Sequence, residues 1–133
     1  MTVPKGWVLV NQALWAVFIL TAALNMLHVR AGVLTNYAAD LVVPALLYVM
    51  LRGLAEAAPR PSFLRRWIGT TPARAGTVLF LASAVTEVSQ RAWPHGIFSG
   101  RFDPWDLFAF GADLALCYAG ERWAWLPGAS VVP

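Results

Sequence analysis

Charge is scarce in this sequence. Asp, Glu, Lys and Arg make up 13% of its 133 residues, about half the roughly 25% of an ordinary soluble domain. That deficit argues against a soluble domain and points to an integral membrane protein. Cysteine is nearly absent as well. Cys117 stands alone, which excludes internal disulfides and multi-cysteine metal sites, and it reads as a small buried hydrophobe. Apolar and polar residues do not alternate at period two, so a membrane barrel is not expected. Internal repeats and low-complexity tracts are missing. So are a nucleophile elbow, a phosphate loop and a nucleotide-binding glycine motif.

What the chain does have is apolar length. Hydrophobic residues form 59% of it, including seven tryptophans. A membrane-spanning helix needs about 20 mostly apolar residues, and four such segments can be traced. They run over about 7–28, 37–54, 75–92 and 105–125. Gly6 to Val29 contains no Asp, Glu, Lys or Arg. Lys5 and the run after it fit the start of a signal peptide, but no small-x-small site ends the run, so it is read as a retained span. Pro44 should kink segment 2 or lie near its start. Short connections make neighbouring helices antiparallel. The expected fold is therefore all-α, a single domain built as an integral membrane bundle of four transmembrane helices. Tryptophans 7, 67, 93, 105, 123 and 125 fit interface belts.

The basic residues set the orientation. Net charge is +3, and membrane topology, not nucleic-acid binding, accounts for it. With four spans, Lys5, Arg52, Arg60, Arg65, Arg66, Arg74 and Arg122 share one side, against Arg30, Arg91 and Arg101 on the other. The positive-inside rule puts both termini in the cytoplasm. Within the long inner loop, Ser62 to Ile68 can form a short interfacial helix, with Trp67 among headgroups and the arginines beside anionic lipid. Arg52, near the inner end of segment 2, can snorkel to the headgroups.

That orientation gathers polar groups at the outer end of every helix. Segment 1 ends with Asn25 and His28, and segment 2 begins with Asp40 in its first turn. Segment 3 ends with Glu87 and Gln90, which share a face with Ser83. Segment 4 begins with Asp103 and Asp106, and Arg91 and Arg101 stand ready to offset part of the negative charge. Ionisable groups inside a membrane are costly and mark functional sites by default. The candidate polar site at the outer mouth is thus Glu87, Gln90, Arg101, Asp103, Asp106 and Asp40. A carboxylate at Glu87 suits a general acid or proton carrier; the competing reading is helix-to-helix hydrogen bonding. Asp103-Pro104 reads as an N-cap followed by proline at the first helical position, with Asp106 at N3 favouring the helix dipole. Asp113 is the deepest acid, about 10 Å below Asp106, and is expected to pair with another helix through Ser83 or Asn25. The acids are oxygen ligands of the kind Mg²⁺ takes, yet their spacing is not diagnostic. No metal and no cofactor is expected. Gly111, Ala115 and Ala119 recur every fourth residue and permit close helix packing.

Glu87-x-x-Gln90, a short loop, then Gly100-Arg101-Phe102-Asp103-x-x-Asp106 opening a last apolar helix with Gly111, resembles the VanZ-like family of small bacterial membrane proteins. The resemblance covers about residues 75–120, with Phe110 where the family often has Asn. It implies a cell-envelope role. The expectation is a protein that binds or processes a lipid or lipid-linked envelope ligand at its outer face, with Arg101 meeting an anionic headgroup. The alternative is a non-catalytic interaction subunit packed against a larger membrane protein partner. A proton or ion path ranks last, because it needs a continuous polar line and segment 4 offers only Asp113 at depth.

Overall fold

The computed structural model describes residues 5–29, 32–56, 62–93, 95–96 and 102–124, and all regular structure among them is helical. The first helix, α1 (Lys5–Met26), is uninterrupted by proline. It is stopped by a hydrogen-bonded reversal. Val29 N–H donates to the Leu24 carbonyl and His28 N–H to that of Asn25, with His28 at φ 57°. This is the left-handed cap position that glycine usually fills. His28 therefore terminates the helix, and its exposed ring lies with Nδ1 3.0 Å from the Met26 carbonyl.

The second helix, α2 (Val33–Arg52), begins four residues before the expected Tyr37. Asp40 consequently falls in the third turn of the helix, not the first. Pro44 lies inside α2 and is almost fully buried. Its missing N–H and its clash with the preceding turn cost one helical bond. At the far end Gly53 closes α2 at φ 65°, and the N–H groups of Gly53 and Leu54 satisfy the Met50 and Val49 carbonyls.

A short helix, α3 (Phe63–Trp67), follows, where the Ser62 hydroxyl accepts from the Arg65 amide. The long helix α4 (Pro72–Ala92) starts earlier than the expected 75 because Thr71 caps it and Pro72 takes its first turn. The last helix, α5 (Pro104–Ala119), runs on into a π-helical turn, Gly120–Ala124. The periodicity of segment 4 carried no sign of that change of winding.

Residue pairs fix how the helices lie. Glu87 meets Asp103 and Phe80 lies against Gly111, so α4 and α5 are antiparallel. Tyr48 meets Glu121, and the Asp113 carboxyl faces the Ala45 amide, so α2 and α5 run the same way. The core lies where these three helices meet: Tyr48, Ala75 and Leu114 are buried, with Leu51, Leu54, Leu79 and Cys117 packed on them. The remaining long helix, α1, packs on α2. Gly69, in the turn before α4, lies against the end of α2, where a Cβ would come within 2.1 Å of the Leu51 carbonyl oxygen.

The outer surface of this bundle is apolar. Leu9, Ile19, Leu47, Val85, Phe108 and Leu116, from all four long helices, stand exposed. Among the described residues one helix, α1, is long and apolar enough by itself to cross a membrane. The shorter apolar run Leu41–Arg52 lies in α2.

Candidate functional site

Glu87 is the most enclosed acid at the α4–α5 end. Ser83 and Glu87, four residues apart, share a face of α4 and line a cavity with residues of α2 and α5, and Glu87 is 8% exposed. Its Oε2 accepts from the Asp103 backbone N–H at a long 3.4 Å. Asp106 and Asp103 are the acids that act on it electrostatically. The carboxylate borders a cavity of about 230 Å³, lined by Pro44, Leu47, Leu79, Ser83, Thr86 and Phe110 among others. The two hydroxyls there bond back to their own helix, Ser83 to Leu79 O and Thr86 to Ala82 O, each at 2.9 Å. Such back-bonding consumes the hydroxyl proton. Glu87 is left as the ionisable group of an otherwise apolar cavity.

The neighbouring acids have local duties. Asp103 caps α5: its Oδ1 accepts from the Trp105 amide at 2.9 Å, and Pro104 takes the first turn. Asp106 sits at N3, where the helix dipole favours a negative charge. Gln90 lies half-buried one turn beyond Glu87. Arg91 does not face the acids directly; its guanidinium stands 5.6 Å over the Phe102 ring. Arg101, and the Asp40 side chain, lie outside the described residues. Asn25 and His28 are exposed at the end of α1. Of the expected constellation, then, Glu87, Asp103 and Asp106 come together.

Asp113 departs from expectation. It faces neither Ser83 nor Asn25. Its carboxyl turns to the Ala45 backbone amide on α2, next to Pro44, and its Oδ2 is buried without a hydrogen-bond partner. A proline inside a helix disturbs the backbone bonds around it, and neighbouring helices supply substitutes.

A second polar group, at the opposite end of the bundle, was missed from sequence. Tyr48, wholly buried, donates its hydroxyl to Glu121 Oε2 at 2.7 Å. Arg52 does not snorkel. It pairs with Glu121, with Nε 3.1 Å from each carboxylate oxygen and Nη2 on Oε1, while Nη1 donates to the Gly69 carbonyl. Glu121 lies in the π-helical turn that follows α5. Such π turns recur at functional positions. The i, i+4 spacing of Tyr48 and Arg52, and of Asp113, Cys117 and Glu121, was the available signal.

Nearby, Arg65 Nη2 donates to the Met50 carbonyl at 3.0 Å and to Glu56 at 3.1 Å, tying α3 to the end of α2. Phe63 and Trp67 project outward beside it, their rings 5.8 Å apart. Among the described residues no three His, Cys, Asp or Glu side chains converge to hold a metal ion. Comparison with known protein families, curated proteins and solved structures finds no match.

Proposed function

We propose that this chain is a four-span protein of the bacterial inner membrane, with both termini cytoplasmic, that binds an envelope lipid or lipid-linked ligand at its outer mouth. The VanZ-like resemblance of residues 75–120 agrees with this reading. Helix length supports the four spans. The helices α1, α2 and α4 contain 22, 20 and 21 residues. At 1.5 Å per residue each crosses the roughly 30 Å of hydrocarbon, and α5 with its π turn is comparable. Exposed apolar side chains on all four would face acyl chains instead of water.

The observation that carries the ligand reading is Glu87, a buried carboxylate at the head of a cavity of about 230 Å³ in an apolar bundle. Its second oxygen offers an acceptor to a headgroup hydroxyl or ammonium. Apolar grooves of about 540 and 370 Å³ run along the α4–α5 seam from Pro104 past Phe80 and Gly111 to Tyr118. They suit lipid chains lying beside the headgroup site.

The test is Glu87→Gln, which keeps size and one acceptor but cannot ionise. Complementation of a deletion strain under envelope stress, including a glycopeptide, should fail while the extracted protein stays monodisperse. Full complementation at normal expression would refute the ionisable site. It would favour the other reading, an interaction subunit of a larger membrane complex. That reading draws support from α1, whose apolar window is only 11% buried and therefore has surface to offer a partner.

A further inference from the structure

The first helix, α1, has two different faces. Trp7, Asn11, Leu14, Phe18 and Thr21 recur at alternating steps of four and three residues, and all are buried or half-buried. This is the stripe by which α1 packs on α2. A second stripe of the same period lies across the helix: Leu9, Gln12, Ala16, Ile19, Ala23 and Met26. All six are exposed. At 3.6 residues per turn its mid-line is turned about 150° from the first.

Five of these six side chains can face acyl chains. Gln12 cannot do so without cost. It lies seven residues beyond Lys5, about 10 Å along the helix, and so well inside a hydrocarbon layer of about 30 Å. Its carboxamide makes no side-chain hydrogen bond among the described residues. The helix packed along α1, α2, is on the opposite face. In hydrocarbon an unsatisfied amide is unfavourable, and a glutamine in such a place bonds across to another helix.

The chemistry of this stripe selects its occupant. Every copy of the chain enters the membrane in one orientation, so two α1 helices meet parallel and set Gln12 opposite Gln12 at one depth. A carboxamide carries two N–H donors and an acceptor oxygen and is complementary to itself. Nε2 of each copy donates to Oε1 of the other, and a twofold axis along the membrane normal makes the two bonds equivalent. The same axis sets Ala16 against Ala16 and Ala23 against Ala23, where small side chains let the backbones approach. Leu9, Ile19 and Met26 fill the other layers. One polar residue in such a seam fixes register and strand number, and the 3.5-residue period gives a left-handed crossing of about +20°. A dissimilar partner would have to bring a matching polar group to the same depth; a second copy always does.

We propose that α1 is the dimerisation helix of this protein, pairing two copies in parallel through the 9–26 stripe, with Gln12 bonded to Gln12. The proposal rests on the membrane reading of α1. The Glu87 cavity is lined from α2, α4 and α5, so the pairing draws on none of its residues.

The experiment uses the full chain with Cys117→Ala in phosphatidylethanolamine–phosphatidylglycerol vesicles. Flotation and resistance to carbonate extraction establish insertion. Under copper phenanthroline, Ala16→Cys and Ala23→Cys should each give a disulfide-linked dimer whose yield holds as lipid dilutes the protein. Val17→Cys, exposed but off the seam, should give only collisional cross-links that fall with dilution. Gln12→Leu should weaken the dimer about tenfold, through loss of two hydrogen bonds across the seam, as read by energy transfer between copies dye-labelled at position 64. An inserted chain that stays monomeric, equal cross-linking at positions 16 and 17, or a Gln12→Leu dimer as tight as wild type overturns the seam while the membrane reading stands. Each would leave this face of α1 to lipid or to an unlike protein. A chain that does not insert overturns both.

Discussion

Breaking the Arg52–Glu121 pair one partner at a time should cost far more than removing it whole. The two side chains are only 15% and 13% exposed. Removing one member of a buried ion pair typically costs about 3–5 kcal/mol, because the other charge is left uncompensated. Here the lower end applies. In Glu121→Leu, Arg52 keeps the Gly69 carbonyl. In Arg52→Met, Glu121 keeps the Tyr48 hydroxyl, and a hydrogen bond to a charged group is worth about 1.5–3 kcal/mol. Each single change should therefore destabilise by about 3 kcal/mol. The double variant leaves no buried charge and should lose less than the two together, with a coupling of about 2–3 kcal/mol, within the range known for residues in direct contact. The assay is reversible unfolding in mixed micelles by titration with dodecyl sulfate, followed by helical circular dichroism on all four proteins. Losses that add to within about 0.5 kcal/mol, as for independent sites, would refute the pairing.

Gly69→Ala should lower the melting temperature. Its Cβ would meet the Leu51 carbonyl oxygen at 2.1 Å, and overpacking of this kind costs about 1–3 kcal/mol; an unchanged melt would mean that the α3–α4 turn does not sit against α2. Asp103→Ala should lose about 1 kcal/mol in the same dodecyl sulfate titration, whereas Asp103→Asn should stay near wild type, since both Asp and Asn cap helices well. Equal losses in the two would assign Asp103 a role for its charge instead of its cap.

The all-helical fold and the cap of α5 were legible because they rest on local signals. Asp103-Pro104 specifies a helix start through its own side chain and ring, and the structure uses it so. Thr71-Pro72 carries the same signal at the start of α4, but apolar content alone placed the helix three residues later. His28 looked like a polar group for the outer mouth. Its left-handed backbone is a termination device, and a histidine in that place has no sequence signature. Glu87 could be picked out because a carboxylate in an apolar helix is costly wherever it points. The Tyr48–Glu121–Arg52 network was harder to read: the i, i+4 spacings put its members on one face of each helix, but their meeting depends on α2 and α5, some seventy residues apart, lying parallel. The neighbour of Asp113 is a backbone amide beside Pro44, which side-chain matching does not find.

The central claim is a four-span membrane topology with the Glu87 end outside and the α3 end inside. Single cysteines at positions 64 and 95, in a Cys117→Ala background, test it directly, because Leu64 and His95 are both exposed at opposite ends of the bundle. An impermeant maleimide applied to intact spheroplasts should label position 95 and spare position 64. Position 64 should react only after the membrane is opened. Labelling of position 64 with position 95 protected would invert the topology. Recovery of both cysteines in the soluble fraction would contradict the membrane account altogether.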